Sequence, residues 1–179
     1  MTIQGDHIFL RRLVPRDVGP AYLRWLRDPA VNAFLEVRFD PPKSVGELRA
    51  LIHKTNRDPR TLLLGIFERR GGSHIGNIKL GPINRRHRTA EIGFLIGEKK
   101  EWGKGFASSS IRLVCDYAFQ KLGLIKITAG CYLNNRGSQR ALRRAGFRRE
   151  ARLIRQWQCG RNRVDGLIFG KIHPKYRWK

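Results

Sequence analysis

A-E-I-G-F-L-I-G-E-K-K-E-W-G-K-G-F-A, residues Ala90 to Ala107, is the stretch around which the rest of the chain is arranged. It begins as a strand and ends as the opening of a helix. Ile92, Phe94 and Ile96 alternate with Glu91, Gly93 and Leu95, so the two sets point to opposite faces of a sheet. The charged run Glu98-Lys99-Lys100-Glu101 breaks the pattern, and Trp102-Gly103-Lys104-Gly105-Phe106-Ala107 follows. Beyond Ser108-Ser109-Ser110, the residues Ile111, Val114, Cys115, Ala118, Phe119 and Leu122 recur at helical spacing.

A glycine-rich turn between a strand and a helix has a specific use. Gly103 and Gly105 lack a Cβ, so the backbone can take left-handed angles and approach a ligand closely. The first N–H groups of the following helix have no partner inside it, and the helix dipole makes that end positive. The two features together suit a phosphate. A glycine loop that merely turns the chain is the plainer alternative.

Working outward towards the N-terminus, Ile8 to Leu13 reads as a strand and Pro15 and Asp17 suit a helix start, with Ala21, Tyr22, Trp25 and Leu26 at helical spacing behind them. A short second helix is expected from Pro29 to Leu35. Two prolines keep Glu36 to Lys43 a loop. Ser44-Val45-Gly46-Glu47 matches a capping box ahead of Leu48, Leu51 and Ile52. Thr61 to Arg69 and His74 to Ile83 read as a hairpin about Arg70-Gly71-Gly72-Ser73.

Towards the C-terminus, Leu124 to Leu133 is the next strand, followed by a helix from Arg136 to Ala145 that stops at Gly146. Arg140, Arg143 and Arg144 should be exposed on that helix, because Ala141, Leu142 and Ala145 are needed for packing. Phe147 to Gln158 and Val164 to His173 close the chain as a hairpin. The order predicts a single domain over 1–179 with a mixed α/β fold, about seven strands in one sheet and helices on both faces.

Composition narrows the function classes. Hydrophobic residues make up 41% of 179, with 4 Trp and 9 Phe, which excludes a disordered chain. No apolar run is long enough to span a bilayer, and the N-terminus lacks the pattern of a signal peptide, so a cytoplasmic protein without membrane association is expected. Cys115, Cys131 and Cys159 are odd in number and widely spaced, which argues against a disulfide framework and against a metal site. Lys and Arg number 37 against 14 acids, a net charge of +23 that favours anionic partners such as nucleic acid, ribosome or phosphorylated substrate. A merely solvated basic surface has the same composition.

The stretch W-G-K-G-F-A resembles the acetyl-CoA-binding motif of the GNAT acetyltransferase superfamily, in which Gly105 and Ala107 fit the motif's last glycine and its final small residue. Trp102 stands where the family usually has Gln or Arg, as in the branch resembling ribosomal-protein-alanine acetyltransferases. Asn135-Arg136-Gly137-Ser138, followed by Gly146-Phe147, resembles that branch's second signature, N-x-x-S then G-F. The resemblance spans residues 8–172. It implies that the fourth and fifth expected strands are parallel, mostly antiparallel neighbours surrounding them, and splay apart around coenzyme A. Phe94, Leu95 and Ile96 would offer backbone to the pantetheine arm. Gly103, Lys104, Gly105, Phe106, Ala107 and Ser108, with Trp102, would hold the diphosphate, and Asn135 the pantetheine amide.

Acetyl transfer to an amine needs a proton acceptor, because alkylamines are protonated at neutral pH. Glu91 is the first candidate base, expected in a partly buried cleft, with a structural glutamate paired to an arginine as the alternative. Ser138 is the second catalytic candidate, near the thioester sulfur by resemblance, or else an ordinary first-turn serine. The tyrosine acid of many family members falls at Leu142 and is missing. Trp25, Asn32, Arg38, His74, Tyr132 and Trp157 could line the acceptor site.

The leading expectation is an acetyl-CoA-dependent N-acetyltransferase, monomeric or homodimeric, acting on a small amine. The stretch Trp25 to Asn32 resembles members that acetylate amino sugars on nucleotide carriers, where Arg38 would suit a diphosphate. A protein N-terminal acetylase is the second enzymatic reading. A basic RNA- or ribosome-binding module is the third, since Asn134 to Lys179 carries fourteen Lys/Arg against two acids. Aromatic residues are not interleaved with those charges as stacking platforms would be.

Overall fold

In the computed structural model, which describes residues 1–176, the central stretch is strand β5 (Thr89–Ile96) leading through a turn into helix α4 (Phe106–Gln120). Ala90 and Ile92 are buried, and α4 lays Ile111, Val114, Cys115 and Ala118 at 0% exposure over the same face. These contacts belong to the larger of two apolar clusters, which also takes in Ala141 and Leu142 of α5 (Arg136–Arg144). The smaller cluster lies under α1 (Pro20–Arg27) and α3 (Val45–Arg57), where Trp25, Leu26, Leu48 and Ile52 are buried and Leu95 packs from β5. Alternation along β5 thus divides the sheet between two helical layers.

Eight strands form one sheet in the order β1-β2-β3-β4-β5-β6-β8-β7. The pairings are antiparallel except that of β5 with β6 (Lys126–Tyr132). β2 (Ile8–Arg12), β3 (Leu62–Glu68) and β4 (His74–Leu80) precede β5, and the hairpin of β7 (Arg148–Cys159) and β8 (Asn162–Ile172) closes the sheet. The strand not anticipated is β1 (Thr2–Gln4), three residues held to β2 through Ile3 opposite Leu10. It is too short and polar to carry its own periodicity; its partner makes it a strand.

Helix starts differ from the sequence expectation where side chains intervene. Asp17 receives both guanidinium nitrogens of Arg11 at 2.6 and 2.7 Å and the Val14 N–H at 2.9 Å, which holds Pro15–Asp17 as a 3-10 turn. α1 then begins only at Pro20, whose ring suits a first helical position. The second helix, α2 (Pro29–Asn32), is a single turn capped by Asp28. Ser44 caps α3 as expected, accepting from the Glu47 N–H at 3.1 Å. α5 ends on Gly146, at φ +88, the left-handed position where glycine is favoured. Its Arg140, Arg143 and Arg144 are exposed. No helix among the described residues is long and apolar enough to cross a membrane.

Candidate active site

β5 and β6 run together only from Thr89 opposite Lys126 to Glu91 opposite Thr128. Beyond that rung β5 stays with β4 up to Ile96, and β6 stays with β8 up to Tyr132. A gap therefore opens inside the sheet. The Glu91 carbonyl accepts from the Gly81 N–H at 2.7 Å and the Gly97 N–H reaches Ile75 O at 2.9 Å, so odd-numbered residues of β5 turn their backbone towards β4. By alternation, Ile92, Phe94 and Ile96 turn theirs into the gap. Leu95, expected among the gap-lining residues, is committed to Asn77 on β4 instead.

The turn at the gap's end is built for close approach. Gly103 and Gly105 take φ of +81 and +88. A Cβ on Gly103 would meet nothing within 4 Å, and one on Gly105 only the Ser108 hydroxyl at 3.9 Å. The first backbone bond of α4 is Ser109 N–H to Gly105 O, and among the described residues the amides from Gly103 to Ser108 reach no backbone acceptor. Trp102 Nε1 donates to Ile96 O at 2.8 Å and fastens the turn to the strand end. The Lys104 ammonium pairs with the buried Glu101 at 2.9 Å. Phe106 and Ala107 pack on the larger core.

At Gly105 the space is open but the angle is not tolerant. Gly105→Val is expected to lower stability by about 1–3 kcal/mol, the usual cost of a left-handed side-chain residue, and to weaken acetyl-CoA binding at least tenfold. Calorimetry on the folded variant checks this; parent-like affinity would put the diphosphate elsewhere.

The two catalytic candidates stand on opposite faces of the sheet. Ser138 lies on the α4–α5 side, with its N–H bonded to Asn135 Oδ1 at 3.0 Å, while the Cys131 thiol donates to Tyr132 O at 3.4 Å and Asn135 O at 3.7 Å. Burial pushes that thiol up, and neighbouring Ser138 offsets part of the rise. Asn135 caps α5 through its oxygen, which leaves its NH2 to face a ligand. Glu91 shares the other face with Gly130 and Tyr132, by its pairing with Thr128. It is exposed rather than partly buried, and no cation among the described residues pairs with it within 4.0 Å. The expected alternative of a structural ion pair is not what the geometry has.

Around Glu91 the acceptor face gathers three of the six expected residues. Trp157 stacks on Tyr132 with ring centroids 4.8 Å apart, and its indole lies over Gly130 and Gly166, where a Cβ would come within 3.2 and 2.8 Å of the ring. Glu91 Oε1 is 3.9 Å from that same Gly130 position. Arg38, on the 3-10 turn Glu36–Arg38, crosses the cleft mouth. Its Nη2 donates to Tyr132 Oη and Gln158 O, both at 2.7 Å, and its Nη1 to Leu35 O at 2.8 Å. Glu36 and Phe34 complete the wall, the first 3.5 Å from Tyr132 Oη, the second tilted at 48° to the Tyr132 ring with centroids 5.5 Å apart. Neither had any periodicity to mark it.

Trp25, Asn32 and His74, expected at the acceptor site, are buried or half-buried in contacts of their own. Trp25 is 5% exposed, covers Gly97 and donates from Nε1 to Glu98 Oε1 at 3.0 Å. Asn32 is buried with its NH2 on Leu26 O at 2.7 Å. Asp28, between them, caps α2 and meets Lys99 at 2.7 Å. The stretch from Trp25 to Asn32 is thus an α1–α2 corner held by packing and caps. An open depression of about 800 Å³ lies at that corner, lined by Arg24, Trp25, Asp28, Gly97 and Lys99 among others, and neither Glu91 nor Trp157 borders it.

His74 packs flat on Phe67, with centroids 4.9 Å apart, and its Nε2 lies 2.9 Å from both Gly76 O and Asn77 Oδ1. Burial lowers its pKa, and the bonds to Asn77 and Gly76 oppose that only in part. The folded protein therefore favours the neutral ring. Stability should be full above the ordinary histidine pKa of about 6.5 and fall as pH drops towards the depressed folded value, because the unfolded chain takes the proton first. Urea midpoints between neutral and mildly acidic pH check this; His74→Phe should flatten that part of the profile.

Known proteins with this arrangement identify the chemistry. The acetyltransferase (GNAT) domain profile matches residues 7–148. The uncharacterized N-acetyltransferase YoaA of Bacillus subtilis is 27% identical over 97% of both chains. The spermidine N(1)-acetyltransferase of Vibrio cholerae is 30% identical over 66% of this chain and 67% of its own. A crystal structure of spermidine N-acetyltransferase from Vibrio cholerae, in complex with CoA and spermine, superposes with TM-score 0.84 at 25% identity, covering 96% of this chain and 99% of that one. With the profile matching most of its length, the chain belongs to the GNAT acetyltransferase family and is an acyltransferase that uses acetyl-CoA.

Proposed function

We propose that this enzyme acetylates the primary amine of a small molecule, with Glu91 as proton acceptor. The observation that carries the reading is the Glu91 carboxylate, without an ion pair among the described residues, at the last rung before the strands part, on the aromatic-walled face. The residues present fit coenzyme A: Phe94 and Ile96 turn backbone into the gap for the pantetheine amides, and the amides about Gly103 and Gly105 suit the diphosphate. When bound, acetyl-CoA supplies an activated acetyl thioester. Glu91 removes a proton from the ammonium directly or through one water. Ser138, on the far face of the gap, would hold a proton for the thiol that acetyl-CoA leaves. Leu142, where a tyrosine acid is usual, is fully buried and contributes only packing.

The acceptor wall suits an amine with an apolar body. Trp157, half-buried against Tyr132, offers an aromatic face beside a carboxylate, a setting that attracts an ammonium. The Vibrio cholerae relatives, named for spermidine, support a small amine. An amino sugar on a nucleotide carrier would need a free cation for its diphosphate, and the Arg38 nitrogens are already engaged by Tyr132, Gln158 and Leu35. A protein N-terminus would need a wide cleft, and the Glu36–Arg38 turn spans the mouth. The net charge of +23 is read as surface electrostatics that raises the local concentration of anions, the cofactor included.

The test is acetyl transfer from acetyl-CoA to propylamine, spermidine, a nucleotide-linked amino sugar and a short peptide, followed by mass spectrometry. Acetylation of an unphosphorylated amine ahead of the other two is the expected result. Preference for the peptide or the sugar nucleotide overturns it.

A further inference from the structure

We infer that Asp165 and Arg163 on β8 are positioning residues for the acceptor, locking a bulge in β7 that aims Trp157 rather than Arg155 into the cleft. The inference rests on the proposed amine lying against Trp157. Leu153 is opposite Gly166 and Trp157 is opposite Val164, so Ile154, Arg155 and Gln156 face Asp165 alone. β7 therefore carries two residues more than its partner at this point. Regular pairing onward from Leu153 would place Arg155 opposite Val164. Because side chains alternate with a period of two, the slip keeps the face and changes the occupant. Trp157 would move about 7 Å along the strand, and a guanidinium would stand in the cleft where the indole now lies. That substitution turns an amine-binding wall into one that repels an ammonium.

The bulge is held from β8 at three backbone groups, the Arg155 N–H and the carbonyls of Arg155 and Gln156. Asp165 Oδ1 accepts from the Arg155 N–H at 2.8 Å, while Oδ2 accepts from Arg152 Nε at 2.5 Å. Arg163 donates from Nε to Arg155 O at 2.8 Å and from Nη2 to Gln156 O at 2.9 Å. These bonds keep Arg155 at φ +48, a left-handed angle that a non-glycine residue adopts only when its surroundings impose it. The Arg155 N–H and then the Arg152 guanidinium hold the Asp165 carboxyl below the usual carboxylate range. The lock is therefore charged at neutral pH. Gly130 and Gly166 supply the floor that receives the indole once the bulge has aimed it. Re-aiming a side chain beside a functional cleft is a recurring use of bulges.

The test uses the full chain labelled with 5-fluorotryptophan, which has four indoles, with the Trp157 signal assigned by Trp157→Phe. In Asp165→Ala the fluorine resonance of Trp157 should shift or broaden while those of Trp25 and Trp102 stay in place. Arg163→Met should do the same, and it keeps the question answerable if Asp165→Ala does not fold. Asp165→Asn, which retains the acceptor for Arg155 N–H, should restore the parent signal, and Arg155→Gly should preserve it. With propylamine as probe, both disrupting variants should raise KM at least tenfold and leave kcat and acetyl-CoA affinity within about twofold. An unmoved Trp157 resonance in Asp165→Ala and Arg163→Met overturns the inference, as does an unchanged KM. If the parent acetylates no small amine, the proposed function fails, and the fluorine signal still decides the role of the lock.

Discussion

Glu91→Gln is expected to bind acetyl-CoA as tightly as the parent and to turn over roughly 10²–10⁴-fold more slowly near neutral pH, the usual contribution of a general base. Glutamine keeps the shape of the side chain and removes its capacity to take a proton. The deficit should narrow as pH rises, since a growing share of the amine then arrives already neutral. Thermal stability should hardly change, because Glu91 is exposed and no cation among the described residues pairs with it. A glutamate needed only for structure would behave in the opposite way, with a lower melting temperature and an unaltered pH profile. Turnover against pH with an accepted amine separates the two, and a parent-like rate at neutral pH excludes the base.

Trp25→Ala should destabilise the fold by about 3–5 kcal/mol, the range for removing a large buried aromatic. The indole is 5% exposed, packs with Tyr22 and His74 at centroid distances of 5.6 and 5.0 Å, and covers Gly97. Its bond to Glu98 ties α1 to the segment just after β5, so the loss also loosens the approach to the glycine turn. Chemical denaturation measures the effect. Trp25→Phe, which keeps most of the volume, should fold and show an acceptor KM close to the parent. A KM that rises with stability intact would return Trp25 to the acceptor site.

The contrast between Trp25 and Trp157 shows where sequence reading stops. Helical spacing sets Trp25 among Ala21, Tyr22 and Leu26, and strand spacing sets Trp157 between two glutamines, but neither pattern says which indole borders the cleft. The distinction comes from the glycines opposite. Gly97 receives the face of Trp25 from a neighbouring helix, while Gly130 and Gly166 leave Trp157 lying on the sheet within reach of Glu91. Arg38 is a similar case. Its charge suggested an anion, but the long turn after α2 brings it to Tyr132 and Gln158, more than ninety residues away in sequence, and engages its nitrogens there.

What the sequence determined by itself is whatever depends on local periodicity and backbone chemistry. The alternation of Ala90 to Ile96, the glycines at positions that take φ of +81 and +88, the apolar face of α4, the Ser44 cap and the Gly146 stop follow from residues a few positions apart. Those elements place the cofactor turn. Tertiary structure alone decided the acceptor side: the length over which β5 and β6 stay paired, the extra edge strand β1, and the bulge in β7. Each is set by register against a distant strand, and a shift of register changes which side chain reaches the cleft without changing any local pattern. Glu91, at the rung where two strands part, was legible in the sequence as a candidate, and its exposure, with no ion pair among the described residues, was decided only by the strands around it.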